Sequence, residues 1–179
     1  IGFPDATLYY KYAGCMGNTL AMSFGGNNAM SATINLLAKN ETKGTSAYDG
    51  SATTTYLTNY TRLNNSDISA FSEGGGAVTN IETFNVTLDN RLDSSFGLAG
   101  SGWRTNCLRT KTRVTGNIVA TFEDDSLLLK GRGNTESSLQ VVVTSGTYSL
   151  TIKVPELKYS QKKPPTRGPA GLRQDLSFV

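Results

Sequence analysis

Apolar and polar residues alternate with a period of two through much of the chain, and the alternation is most regular over residues 78–130. There Phe84, Val86 and Leu88 alternate with Thr83, Asn85 and Thr87, as in a strand with one buried face. A second strand is predicted where Val114, Gly116, Ile118, Ala120 and Phe122 alternate with Arg113, Thr115, Asn117 and Thr121; Val119 interrupts its polar face. Asp89-Asn90 supplies turn residues at the end of the first strand. Asp124-Asp125 stands before Leu127, Leu128 and Leu129, which predicts a short helix whose free N–H groups the two carboxylates accept. Strand, loop, strand and helix form the expected central unit.

The same pattern predicts strands over residues 8–12, 18–24 and 31–39, the last two forming a hairpin around Gly25-Gly26-Asn27-Asn28. In this pair Leu20, Met22 and Phe24 share one face, as do Ala32, Ile34, Leu36 and Ala38. Residues 40–77 are rich in Thr, Ser, Asn and Gly, with Tyr48, Tyr56 and Tyr60 among scattered apolar positions. This stretch reads as a long loop insertion, either a linker or a surface that orders against a partner. After Gly131-Arg132-Gly133-Asn134, residues 138–144 pair with 147–154 around Ser145-Gly146, with Tyr148, Leu150, Ile152 and Val154 on one face. Pro155 cannot donate to a ladder, so pairing is expected to weaken there. Residues 162–169 read as an extended spacer, and Leu176 to Val179 as one more strand at the end of an arm that docks elsewhere. The organisation expected is one β domain over 1–161 and an extended C-terminal arm over 162–179.

Composition excludes more than it suggests. Histidine is absent, which removes chemistry that relies on imidazole as base or ligand. The net charge is +3, and six bases against two acids fall from Lys153 onward, so the excess belongs to this C-terminal segment. Cys15 and Cys107 read as small buried residues, with a single disulfide as the alternative. No apolar run approaches the ~20 residues that span a bilayer, so the chain reads as soluble without membrane insertion. The missing initiator Met points to processing or to a start inside a longer product.

Candidate chemistry is sparse. Glu123-Asp124-Asp125 can in principle do acid-base work or hold a cation, but a helix N-terminus already accounts for it. Arg109, Lys111 and Arg113 form a basic comb with ~7 Å spacing, suited to phosphates or another subunit's carboxylates, and equally to a solvated strand. Trp103, the single tryptophan, reads as an interface anchor or a cover for the sheet end. Neither GxxxxGK[ST] nor a helix-opening GxGxxG occurs. No catalytic, cofactor-binding or metal-binding residue is assigned, and no cofactor is expected.

VTNIETFNVTLDNRLD, RTKTRVTGNIVATFEDDSLLLK and VPELKYSQKKPPTRGPAGLRQDLSFV, preceded by YYKYAGCMGNTLAMSF and SATINLLAK, resemble the tail tube proteins of long-tailed bacteriophages. The resemblance implies a mainly β fold, a β-sandwich or half-barrel with one short flanking α-helix, a long loop and an extended C-terminal arm. It also implies a structural virion protein assembled in the host cytoplasm. Its copies stack as hexameric rings, or as trimers of duplicated units if an N-terminal part is missing, around a channel for DNA and a tape measure protein; other tail proteins are further partners. On that reading Thr83, Asn85, Thr87, Thr115 and Asn117 are candidates for the lumen lining. Tyr48, Tyr56, Tyr60, Trp103, Arg109, Lys111, Arg113, Leu176 and Phe178 are the candidates for contacts between subunits. The alternative is a monomeric β-sandwich binding module for carbohydrate or surfaces, using Trp103 and the loop tyrosines.

Overall fold

The computed structural model describes residues 2–3, 8–26, 29–46, 62–93, 107–161 and 172–179. Its strands, in chain order, are β1 (Gly2–Phe3), β2 (Leu8–Ala13), β3 (Met16–Gly25), β4 (Ser31–Leu37), β5 (Asn40–Gly44), β6 (Ile68–Glu73) and β7 (Gly76–Ala77). They continue with β8 (Ile81–Asp89), β9 (Arg113–Thr121), β10 (Glu136–Ser145), β11 (Tyr148–Lys158) and β12 (Arg173–Phe178). Helix α1 (Ser126–Arg132) lies between β9 and β10. The mainly β architecture matches the pattern of alternation, and β8, β9 and α1 are the predicted central unit.

Contacts divide the chain into two units, residues 1–20, 34–60 and 89–112 in one and residues 21–33, 61–88 and 113–179 in the other. The first contains the sheet β1-β2-β5. β2 and β5 run antiparallel, with Tyr9 opposite Gly44 and Tyr12 opposite Glu41, and Lys39 N–H donates to the Ala13 carbonyl at 3.0 Å. Asn90 donates from its backbone to the Asn18 carbonyl at 2.8 Å and from its side chain to the Gly17 carbonyl at 2.9 Å, so the turn-forming residue after β8 is fixed by two bonds. No disulfide joins the two cysteines. Cys107 is buried as expected, whereas Cys15 is exposed, following the turn at Gly14 instead of filling a core.

The second unit holds the hydrophobic core. A four-stranded sheet, β11-β10-β6-β7, and the part of the five-stranded sheet β12-β9-β8-β3-β4 that falls in this unit contribute alternating inward residues, as two packed sheets require. From the first come Leu139, Val141, Val143, Val154 and Leu157; from the second come Phe24, Phe84, Val86, Ile118, Ala120, Leu176 and Phe178. α1 adds Leu127 and Leu128, while Leu129 stays 52% exposed. Phe84 organises the aromatic part: it stacks on Phe24 at 5.7 Å and on Phe178 at 6.2 Å, and Phe71 meets its edge at 5.6 Å. Gly116 makes the Phe178 position possible. A Cβ there would overlap both the Phe178 ring and the Asn85 carbonyl.

Several expectations change. Residues 40–77 are not a loop from end to end, because β5 and β6 occupy two parts of the stretch and residues 47–61 lie outside the described residues. β6 is an interior strand between β10 and β7. The predicted strand ending at residue 39 stops at Leu37 as β4, and Ile34 and Leu36 on its apolar row are each 62% exposed. The hairpin of β10 and β11 turns where expected, with Ser145 opposite Tyr148 and Gly146 at φ 59°. β11 nevertheless runs on through Pro155 to Lys158. The register slips between Ser137 and Leu139, a bulge that accommodates a residue unable to donate. The end of the predicted arm returns to its own chain. β12 pairs antiparallel with β9, Leu176 opposite Ile118, and Lys158 and Ser160 N–H donate to the Val179 and Ser177 carbonyls at 3.0 and 2.8 Å.

Candidate functional site

On β8 and β9 the residues that alternate with the core row are polar, and the strand order sets them beside similar residues of β3 and β12. Ser23 Oγ donates to Asn85 Oδ1 at 2.6 Å, and Asn85 Nδ2 donates to Asn117 Oδ1 at 3.5 Å. Asn117 Nδ2 in turn donates to Asp175 Oδ1. These four side chains make a hydrogen-bonded row across β3, β8, β9 and β12, which at ~4.8 Å between strands spans about 14 Å. Thr83 and Thr87 on β8 and Thr115 on β9 are half-buried polar neighbours along the same strands. The row is nearly neutral, Asp175 being its one charged member. All five residues expected to line a lumen therefore lie on these two adjacent strands, whereas Ser23 and Asp175 were missed. Their strands are distant in sequence, and no local pattern announces which strand will be a neighbour.

The start of β12 is clamped separately. Arg173 Nε donates to Glu82 Oε1 and Oε2 at 2.9 and 2.7 Å, and Thr121 Oγ1 donates to Oε1 at 3.1 Å. The Arg173 guanidinium, and after it the Thr121 hydroxyl, hold the Glu82 carboxyl below its ordinary range. A depressed carboxyl pKa stabilises the fold above the unfolded-state value, and that contribution disappears as the pH falls through the folded value. Acid titration from pH 5 downward should therefore loosen β12 through this residue, and Glu82→Gln should flatten that part of the stability profile. An unchanged profile in the variant would remove Glu82 as a cause.

The acidic run at α1 caps, although differently from the expectation. Asp125 occupies the N-cap position without a side-chain bond, while Asp124 Oδ1 accepts from the Ser126 hydroxyl at 2.6 Å and its N–H at 2.9 Å. Those two bonds hold the Asp124 carboxyl below its ordinary range.

Sequence reasoning also missed a buried polar cluster. Glu73, 8% exposed, ends β6 at a position that alternation assigns to the core. Its Oε2 accepts from Lys130 Nζ at 2.5 Å, and its Oε1 accepts from Ser137 Oγ at 2.5 Å and Tyr159 Oη at 3.4 Å. Burial, then the Glu73 charge, pushes the Tyr159 hydroxyl far above its ordinary pKa. Lys130 lies on α1, Ser137 on β10 and Tyr159 just past the end of β11, so the cluster ties α1 to the four-stranded sheet.

Of the residues expected between subunits, Tyr48, Tyr56, Tyr60 and Trp103 lie outside the described residues. Arg109, Lys111 and Arg113 are exposed; Arg113 opens β9, and the other two precede it outside any strand. Leu176 and Phe178 differ from the expectation, being 0% and 3% exposed within their own chain's core. Their apolar side chains are satisfied where β12 completes the sheet.

No curated protein sequence matches the chain. The family model of the phage tail tube protein matches residues 2–179. This match, spanning the strands of both units, establishes that the chain belongs to the phage tail tube protein family, whose members are structural components of the phage tail.

Proposed function

We propose that copies of this chain polymerise into stacked hexameric rings, and that the polar face of the five-stranded sheet lines the resulting channel. The hydrogen-bonded row Ser23–Asn85–Asn117–Asp175 carries the reading. A duplex held by many cationic contacts binds with a steep salt dependence and does not slide freely. A neutral row whose donors and acceptors already serve one another offers a passing phosphate few partners, and Asp175 repels it. Thr83, Thr87 and Thr115 extend that surface, and Arg109, Lys111 and Arg113 face carboxylates of the next subunit. Repetition of one heterologous contact gives a closed ring or an open filament. Double-stranded DNA and the tape measure protein occupy the channel of the tail, which assembles in the host cytoplasm.

Electron microscopy of the purified protein tests polymerisation: rings or tubes with a central channel are expected, and dispersed monomers under all conditions would sink the reading. Asn85→Lys tests the lining. It places one added cation per subunit in the bore, so tubes of this variant should retain short duplex DNA at about 50 mM salt and release it by about 200 mM. Variant tubes that bind no more DNA than the parent would show that this face is not the lining.

A further inference from the structure

The residues that lead into β9 belong to no strand, yet they are held in place. Thr110 Oγ1 donates to the Arg91 carbonyl at 2.7 Å, and Thr112 Oγ1 donates to Asn90 Oδ1 at 3.3 Å. Asn90 is itself fixed by its bonds to the Asn18 and Gly17 carbonyls. Arg109, Lys111 and Arg113 alternate with these anchored threonines, and all three are exposed. None pairs with a carboxylate among the described residues. Past the other end of β9 stand Glu123 and Asp125, equally exposed and without a hydrogen bond or ion pair among the described residues, while Asp124 between them is taken up by Ser126. At about 3.3 Å per residue the strand holds Arg113 roughly 30 Å from Glu123, several times the ~8 Å over which charges act through physiological salt. Each end of β9 therefore carries charge that the other end cannot neutralise.

We infer that Arg109, Lys111 and Arg113 of one copy seat on Glu123 and Asp125 of a second copy, in a head-to-tail contact that repeats along the direction of β9. The inference rests on the proposed tube and names the carboxylates that the basic comb meets between one ring and the next. The occupant is a second copy because the same chain offers a set of opposite charge, just as exposed and just as unpaired. A contact between two different surfaces is heterologous: each copy that joins keeps one free pole, the condition for open-ended growth. Rows of opposite charge also steer the incoming copy and reject the inverted one, in which like charges meet. A phosphate backbone suits the comb less well, because a row of free cations would hold a duplex that has to pass.

Two charge reversals test this, Lys111→Glu with Arg113→Glu and Glu123→Lys with Asp125→Lys. The sites are exposed and Asp125 makes no capping bond, so each variant should keep the parent's circular dichroism. Each should nevertheless form roughly tenfold less tube by sedimentation and electron microscopy, because like charges now meet. All four changes in one chain restore opposite signs and should restore tubes. A second readout needs no variant: a water-soluble carbodiimide, which joins amines to carboxylates, should link Lys111 to Glu123 or Asp125 in parent tubes and not in dispersed subunits, as read by peptide mass spectrometry. Normal tubes from either reversal, a fourfold variant that stays unassembled, or parent tubes without the cross-link would each overturn the inference and leave the tube itself standing. Intact tubes that lose DNA binding on reversal at 111 and 113 would also overturn it, giving the comb to phosphates. A parent that never polymerises defeats the tube and the inference with it.

Discussion

Phe178→Ala should lower the unfolding free energy by about 3–5 kcal/mol, the usual cost of emptying an aromatic site in a packed core. For a chain of this size that corresponds to a fall in Tm on the order of 10 °C. The ring is 3% exposed, stacks on Phe84, meets Tyr159 edge-on at 6.5 Å and fills the space that Gly116 leaves open. Collapse of the site is limited, since strand backbone forms its floor, so the cavity term remains. Phe178→Leu should recover part of the loss. Chemical denaturation checks it, and a cost under about 1 kcal/mol for the alanine variant would mean that β12 is not a fixed part of this core. The same geometry changes how a truncation is read. Removing residues 162–179 takes Leu176 and Phe178 out of the core, so the shortened chain should unfold, and its failure to make tubes would carry no information about contacts with neighbours.

Lys130→Met should cost about 3 kcal/mol, and more than Glu73→Gln. The asymmetry follows from burial: the Lys130 side chain is 30% exposed and the Glu73 side chain 6%. Without the ammonium, the carboxylate stays buried with two hydroxyl donors and an uncompensated charge, the situation in which breaking an ion pair is most expensive. Without the carboxylate, the lysine reaches water, and a glutamine oxygen still accepts from Ser137 and Tyr159. The double variant should therefore be more stable than Lys130→Met alone. Urea midpoints decide it; a glutamine variant less stable than the methionine variant would refute the asymmetry.

These two sites mark what local sequence does and does not carry. β8 and β9 were legible because each has one core row and one polar row, so Phe84 and Val86, or Ile118 and Ala120, appear at every second position. β6 was not. Its six residues, ISAFSE, sit in a polar stretch, and its last inward position is a glutamate whose partners lie far along the chain. β5, NETKG, has no apolar row because its sheet is small. The alternation at β4 and β11 gave the strands correctly but implied buried faces, whereas Ile34, Leu36, Tyr148 and Leu150 remain exposed; edge position is a property of strand order, which periodicity does not encode. For the candidate lining, the polar rows of β8 and β9 were readable one strand at a time. The row became continuous only through Ser23 and Asp175, which non-local pairing supplies.

The Glu73 cluster has a consequence for the order of folding. Its three partners are 57, 64 and 86 residues away in sequence, so no local hairpin can satisfy the carboxylate. A chain that collapses with β6 in place before α1 and Tyr159 arrive buries a lone charge and is driven back toward the unfolded ensemble. Partly folded states are penalised at this point and the complete sandwich is not, which favours an all-or-none transition. Subunits with a half-built core, and with edges open to wrong partners, are correspondingly rare in the pool from which an assembly grows.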